Sequence, residues 1–285
     1  MSKHRLQLFF GFLIVVAIVV WAASFSKFNA DSSSTDKIYF LNVGQGDSEY
    51  IKLRDGKDIL VDGGPDQKVL EELGKVMDFN DRHIDLVVLT HPHADHLTGL
   101  IDVAQRYEIG EVWESGVVYP SSVYDKWQDL LKQKNIPDSF VSYGQEKSFN
   151  GNMTKFKVSY PLSSEKNLTI DNLNDSSVVT ELDDGKFSTL FLGDAEKTAQ
   201  VKFLDKLQKI TVLKVGHHGS QNGTLEDLLK ITRPAIAVIE VGKNTYGHPA
   251  ASTLDLLKQY AIQIFRTDQD GTVEISTDGV DYNVN

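Results

Sequence analysis

Cysteine is absent from this chain of 285 residues. That absence excludes a disulfide framework, a thiolate metal site and a cysteine nucleophile. A lipoprotein-type anchor is not expected either, because it needs a Cys after its signal. Histidine is unevenly distributed: there are 8 in all, yet none between residues 97 and 216. Long apolar runs are scarce, the one hydrophobic segment being the uncharged stretch from Leu6 to Ser26. Basic residues are outnumbered, 29 Lys and Arg against 40 Asp and Glu, for a net charge of -11. A surplus of that sign argues against tight, nonspecific binding to duplex nucleic acid, which relies on basic contacts to phosphates. It leaves room for a nuclease whose metal ions meet the phosphate. Internal repeats are lacking, and the biased tract is the Ser-rich run between Asn29 and Asp36.

What is present begins with an apolar N-terminus. Lys3, His4 and Arg5 precede the core Phe9 to Trp21. About 20 apolar residues suffice to cross the hydrocarbon region of a bilayer. Basic residues on the N-terminal side keep that end in the cytoplasm, which sends the rest of the chain outside. The expected organisation is a single-pass membrane anchor over residues 1–28, a flexible tether over 29–36 and one large domain over 37–285. The rival reading is a cleaved secretory signal, with Phe28-Asn29-Ala30 as its cleavage site and a secreted product. A bulky Phe stands there where a small residue is preferred.

Residues 91–96 read His-Pro-His-Ala-Asp-His and follow the apolar run Ile84 to Thr90. Imidazole and carboxylate are usual ligands of zinc and similar divalent ions. Three imidazoles and a carboxylate where a strand opens into a loop are hard to explain as an ordinary polar loop. His91 and His93 alternate as in an extended chain, so both can aim at one point. Asp95 and His96 come after the turn and aim at a second point nearby. Such a set can start a two-metal site of the kind that clamps the attacking and leaving oxygens of a hydrolysis.

Hydrophobic periodicity predicts strands at 37–43, 48–53, 57–62, 84–90, 111–114, 154–160, 177–183, 187–193, 211–215, 235–241, 262–266 and 272–276. Helices are predicted at 66–78, 96–107, 122–134, 195–208, 224–231 and 251–260. Strand runs in both halves with interspersed helices suit an α/β (α+β) sandwich of two sheets covered by helices. Residues 115–150 are irregular in composition and are expected to hold a loop over the active site.

The motif His91-x-His93-x-Asp95-His96 resembles the signature of the metallo-β-lactamase superfamily, an αββα sandwich. The resemblance implies that later strand ends complete the site. Phe187 to Gly193 runs into Asp194, where the family places a carboxylate bridging both ions. Val212 to Val215 runs into Gly216-His217-His218-Gly219, where it places its last ligand. His217, first off the strand, is the expected ligand, with His218 lining the pocket.

A narrower resemblance rests on Leu41 to Ser48, Val61 to Gly64, Leu192 to Glu196, Lys214 to Ser220, Tyr246 to Pro249 and Arg266 to Gly271. Together they are similar to the metallo-β-lactamase-like domain at the C-terminus of ComEC-type DNA-uptake proteins, over residues 37–280. The multi-helix channel region of those proteins has no counterpart, so a channel function does not carry over. One departure from the wider superfamily is the missing intermediate histidine. Asn174-Asp175-Ser176-Ser177 stands in its place, as in the narrower family. The first metal position then keeps His91, His93 and Asp194, with an oxygen from Asn174 or Asp175. Such a donor set suits manganese as well as zinc.

The resemblance implies two divalent ions and a hydrolytic reaction in which Asp95, Asp194 and His248 are catalytic. His248 would give a proton to the leaving group, the rival being a plain helix-entry residue before Pro249. Gln45 and Asp47 lie in a Gly-rich turn placed beside the metals, and Asp62 is expected to orient a ligand imidazole unless it is a simple turn residue. Ser177 joins Asn174 beside the pocket, while His4 and His83 are incidental. The implied substrate is a phosphodiester, with single-stranded DNA as one candidate and an envelope phosphocholine or teichoic acid linkage as another. A β-lactam is disfavoured by the missing intermediate histidine. A non-catalytic extracellular binding module on the same fold is the reading from a different class. No obligate protein partner is evident.

The topology is testable on intact cells. Added protease should degrade the domain beyond residue 31, cutting first near Ser32 to Ser34. Protection until the membrane is opened would reverse the orientation drawn from Lys3 and Arg5.

Overall fold

The computed structural model describes residues 34–285. The expected membrane helix over 1–28 lies outside the described residues, among which no helix is long and apolar enough to cross a membrane. The chain enters β1 (Asp36–Phe40), followed by β2 (Glu49–Lys52), β3 (Asp58–Val61), β4 (His83–Ile84) and β5 (Leu86–Leu89). Next come β6 (Glu108–Ile109), β7 (Val112–Glu114), β8 (Asp138–Phe140) and β9 (Glu146–Phe149). The second half supplies β10 (Thr154–Tyr160), β11 (Val179–Asp184), β12 (Phe187–Phe191), β13 (Val212–Lys214) and β14 (Ile236–Ile239). It closes with β15 (Gln263–Arg266), β16 (Val273–Thr277) and β17 (Tyr282–Val284).

These strands form an eight-stranded sheet in the order β17-β16-β1-β2-β3-β5-β7-β8 and a seven-stranded sheet in the order β15-β14-β13-β12-β11-β10-β9. Strand alternation explains how the sheets meet. Ile38, Phe40, Val61 and Val88 of the first sheet pack with Phe156, Phe191, Val212 and Val238 of the second in one buried cluster. Tyr39, Leu60, Val87 and Leu89 face the other way and meet helices α1 (Lys68–Val76), α2 (Ala94–Arg106) and α3 (Ser122–Lys134). Leu190, Leu213, Ala237 and Ile239 do the same on the second sheet, under α4 (Lys197–Phe203), α5 (Glu226–Thr232) and α6 (Ala251–Gln259). Because the central strands are covered on both faces, their sequences read as near-continuous apolar runs rather than alternating ones. The architecture is the αββα sandwich implied by the resemblance.

Two local expectations are corrected. Besides the helix expected at 122–134, residues 115–150 hold two short strands where a loop was expected. Ser121 accepts a hydrogen bond from Val123 N to start α3, Asn135 (φ 54) closes it in the left-handed conformation, and Trp127 and Leu131 bury its inner face. The two strands that follow, β8 and β9, each edge a sheet. Asp36, expected as the last residue of the tether, is instead fully buried in β1 and receives hydrogen bonds from Arg54 Nε (3.1 Å) and Asn150 Nδ2 (3.0 Å).

The consequence for function lies at one edge. Strands β3 and β5 run parallel in the first sheet, and β12, β13 and β14 run parallel in the second. The segments that follow β5, β12, β13 and β14 therefore emerge near one another, joined across the sheets by Val178 N donating to Thr90 O at 2.9 Å. Close packing there requires glycine. A Cβ on Gly99 of α2 would sit 1.9 Å from the Gly63 carbonyl oxygen, and one on Gly46 would sit 2.3 Å from that of Asp95. Any side chain at Gly99 would push away the helix whose first turn carries Asp95 and His96.

Candidate metal centre

The first motif straddles a strand-to-helix junction. His91 leaves β5 fully buried, His93 sits at the N-cap of α2 in an extended conformation, and Asp95 and His96 occupy the first turn. His91 Nε2 and His93 Nδ1 lie 2.9 Å apart. With Asp194 they form one donor cluster, and Asp95, His96 and His218 form a second beside it. Asp194, just past β12, is the residue between them. Its Oδ2 lies 3.8 Å from His91 Nε2, 3.3 Å from His96 Nε2 and 3.9 Å from His217 Nε2, while Oδ1 lies 3.8 Å from His218 Nε2.

Each imidazole is oriented from behind through its other nitrogen. His91 Nδ1 faces the hydroxyls of Thr90 (3.1 Å) and Ser177 (3.4 Å). Ser177 Oγ in turn accepts from Asp194 N at 3.1 Å, which ties the intermediate segment to the central carboxylate. His96 Nδ1 meets Asp62 Oδ2 at 2.7 Å, and Asp62 is held by Thr90 N and Thr90 Oγ1. Asp62 is thus an orienting carboxylate, held at φ 55, an unusual conformation for a side-chain-bearing residue. His218 Nδ1 lies 3.0 Å from the Glu240 carbonyl and 3.1 Å from Asp47 Oδ1. His217 Nδ1 lies 2.9 Å from Glu196 Oε1 and 3.2 Å from Asn174 Nδ2.

His218, not the expected His217, stands with Asp95 and His96. Backbone handedness explains the exchange: both residues are left-handed (φ 49 and 51), so the strand's alternation does not continue through the turn. His218 turns inward to 1% exposure, and His217 turns toward Glu196 on the open side. Asn174 faces the cleft while Asp175 turns away to accept from Thr198 Oγ1, so the oxygen available from the intermediate segment belongs to Asn174. Gln45 lines the cleft and accepts from Gly242 N at 3.2 Å. His248 lines it too, with its ring 5.3 Å from that of His217. Thr90, Glu196, Lys214, Tyr119 and Tyr246 escaped the sequence reading. Glu196 and Lys214 fall inside the blocks that carried the narrower resemblance, which was the available signal.

The electrostatics favour cation binding. Burial, helped by the neighbouring His96, holds His91 well below its ordinary range, and the same causes lower His93. Neutral imidazole is the form that ligates a metal. Burial pushes Asp95 upward, but His218, with Nε2 at 3.4 Å, and the charge of His96 outweigh it and hold Asp95 below the usual carboxylate range. His96 moves the other way, since Asp194 and Asp62 raise it against the effect of burial. His96 Nε2, His218 Nε2, Asp194 Oδ1 and Asn174 Oδ1 are buried without a hydrogen-bond partner. Unpartnered buried polar atoms are costly, and these belong to the two donor clusters and the segment beside them. A mixed nitrogen and oxygen set fits zinc or manganese. The centre opens into a cleft of about 450 Å³.

The sequence profile of the metallo-beta-lactamase superfamily matches residues 41–242. The chain is 26% identical to ComE operon protein 3 of Bacillus subtilis over 85% of its own length and 33% of that protein's. It is 28% identical to Recombination protein 2 of Haemophilus influenzae over 91% of its own length and 31% of that protein's. It therefore spans about a third of the curated relatives it matches. Among solved structures, the metallo-beta-lactamase fold protein YhfI from Bacillus subtilis covers 82% of this chain and is itself 97% covered, at 12% identity and a TM-score of 0.55. Igni18, a metallo hydrolase from Ignicoccus hospitalis, covers 84% and is 98% covered, at 17% identity and a TM-score of 0.55. These likenesses are of fold.

Replacing the two adjacent histidines one at a time tests their assignment. His218→Ala should lower bound metal by about one ion per chain, because it removes one of the few protein ligands a site has. His217→Ala should keep that ion and weaken total affinity by about 10-fold. Metal analysis after loading and desalting reads both, and a larger loss in His217→Ala would return the ligand role to that residue.

Proposed function

The chain belongs to the metallo-β-lactamase superfamily, and from that premise we propose a metal-dependent hydrolase of phosphodiester bonds whose substrate is a single nucleic acid strand. The observation that carries this reading is the pair of donor clusters flanking Asp194 at the base of an open cleft. His91, His93 and Asp194 would hold one divalent ion, and Asp95, His96, His218 and Asp194 the other. Ions so held lower the pKa of water toward neutrality and polarise a phosphoryl oxygen. The chain's own part is to fix that geometry and to manage protons. Asp194 accepts no hydrogen bond through Oδ1 and is free to orient a water proton there. His248, partly exposed on the cleft wall, would donate a proton to the leaving oxygen; burial and His217 keep its pKa below the ordinary value, so the donor form gains population as pH falls.

Support for a phosphodiester comes from two sides. The intermediate imidazole is replaced by Asn174, which departs from the pattern of β-lactam-hydrolysing members. The name of the relative Recombination protein 2 favours nucleic acid, and the resemblance to ComEC-type proteins favours a link to DNA uptake. Two aromatic rings flank the ion-binding residues: Tyr246, 75% exposed with its ring 5.8 Å from that of His248, and Tyr119, edge-on to His93 at 5.9 Å. Unpaired bases stack on such rings. The N-terminal apolar segment would anchor the hydrolase on the outer face of the membrane.

A panel of single-stranded and duplex DNA, RNA, bis-p-nitrophenyl phosphate, p-nitrophenyl phosphorylcholine and a β-lactam, run with Mn²⁺, Zn²⁺ and Mg²⁺, tests the substrate. Single strands should be cleaved best. Preference for the phosphorylcholine ester would move the assignment to an envelope phosphodiesterase, and wild-type protein without bound metal would favour a binding module. Asp194→Ala should abolish turnover and lower metal content.

On DNA, His248→Ala should lower kcat by roughly 10²–10⁴-fold with metal content unchanged. The loss should shrink on p-nitrophenyl esters, whose leaving group departs without a proton. Equal losses on both substrate types with full metal would remove His248 from the proton-donor role.

A further inference from the structure

We propose that Lys214 is a positioning residue for the second donor cluster, holding the Asp47 carboxylate from behind against the imidazoles of His218 and His96. The inference rests on the metal-binding reading above. Lys214 is the last residue of β13 and is fully buried. In that strand Leu213 faces the outer helices and Val212 the space between the sheets. Alternation therefore sends Lys214 inward as well, where lysine is rarely found unless paired. Its Nζ donates to the Asp47 carboxylate and to the Gly193 carbonyl at 3.0 Å.

Asp47 is fixed on every side. It comes from the turn between β1 and β2 in the opposite sheet, so the pair links the two sheets at the site edge. Its backbone N donates to Asp95 O at 3.3 Å, and its carbonyl accepts from Gly64 N at 2.9 Å. Its Oδ1 then lies 3.1 Å from His218 Nδ1, and its Oδ2 lies 3.8 Å from His96 Nδ1. A carboxylate behind a ligand imidazole fixes its tautomer and aims its other nitrogen at the ion. Asp62 does this for His96 while held by the neutral donors of Thr90. Asp47 stands likewise beside His218 Nδ1, which also faces the Glu240 carbonyl, and is held there by Lys214 Nζ.

The carboxylates nearby set the surroundings of Lys214, whose pKa burial lowers to about 7 while Glu240 works to raise it. Asp47, Glu49 and Glu240 bring oxygens close together, all buried. Burial pushes Glu49 and Glu240 upward, the neighbouring Glu240 adds to the rise at Glu49, and Lys214 pulls Glu240 back down, while Glu240 Oε1 accepts from Ser48 N at 3.0 Å. Lys214 thus lies between the Asp47 carboxylate, to which it donates, and Glu240. Without Lys214, Asp47 would lose the donor that holds its carboxylate in place and would be free to turn away from His218.

The test is a double-mutant cycle on metal binding, read by calorimetric titration of the metal-free protein with Mn²⁺ and Zn²⁺. Lys214→Met and Asp47→Asn should each weaken one of the two ions by about 10–100-fold, the same ion that His218→Ala removes. The other ion should be unaffected. The double variant should bind within about threefold of the weaker single variant, since both changes break one linkage. Wild-type affinity in Lys214→Met would overturn the inference, and so would losses that multiply in the double variant. Should Lys214→Met not fold, Asp47→Asn decides alone, because it preserves volume: unchanged affinity there refutes the role, and selective loss of the His218-dependent ion supports it. A wild-type chain that binds no ion would bring down the hydrolase reading itself, a result distinct from variants that bind normally.

Discussion

A carboxylate 2% exposed must be compensated, and the environment of Asp194 is built around that requirement. Four imidazole nitrogens lie within 3.9 Å of its oxygens, drawn from the ends of β5 and β13 and the start of α2. Bringing them there obliges parallel strands in both sheets to terminate at one edge. It also obliges the backbone to turn sharply just after each strand. The left-handed conformations of Asp62, His217 and His218 are concentrated at this edge, where packing and ligation hold residues in conformations they would otherwise avoid. Gly46 and Gly99 serve the same end, since the motif helix can approach the Gly-rich turns only where no side chain intervenes.

The sandwich and most of the centre were legible because the relevant signals are local. His91, His93, Asp95 and His96 fall within six residues, and Asp194 ends an unmistakable apolar strand. Helix α3 and strand β10 lie where periodicity put them. The choice between His217 and His218 was not legible, because it depends on the handedness of two consecutive residues, and periodicity carries no information about that. Edge strands β8, β9 and β17 were missed for a different reason: they are short and largely exposed, so they have no apolar run to announce them. Lys214 was hidden by its own chemistry, since a lysine in a strand reads as a solvent-facing position.

The absent intermediate histidine is answered by a different set of groups. Asn174 brings an amide oxygen to the cleft, and its nitrogen lies 3.3 Å from Glu196 Oε1. Glu196 steadies His217, whose free nitrogen looks toward Asp194. One imidazole has thus given way to an amide, a carboxylate and an outward-turned histidine. The side of the centre nearest His93 is consequently more open to solvent than the side formed by His96 and His218, both of which are buried. The two halves of the site are chemically unlike, and they would differ in how readily each exchanges its ion.

The position of β1 has its own consequence. It lies inside the larger sheet, between β2 and β16, with Asp36 opposite Thr277 and Phe40 opposite Val273. The first strand described thus finds one neighbour at once and the other only when nearly the whole domain has been synthesised. Closing so long a loop is slow compared with forming a hairpin. Until Val273 to Thr277 arrives, one edge of β1 stays open, and with it the floor beneath the turn that carries Gln45 and Asp47. The timetable of synthesis therefore makes the ion-binding edge one of the last parts of the molecule to become whole.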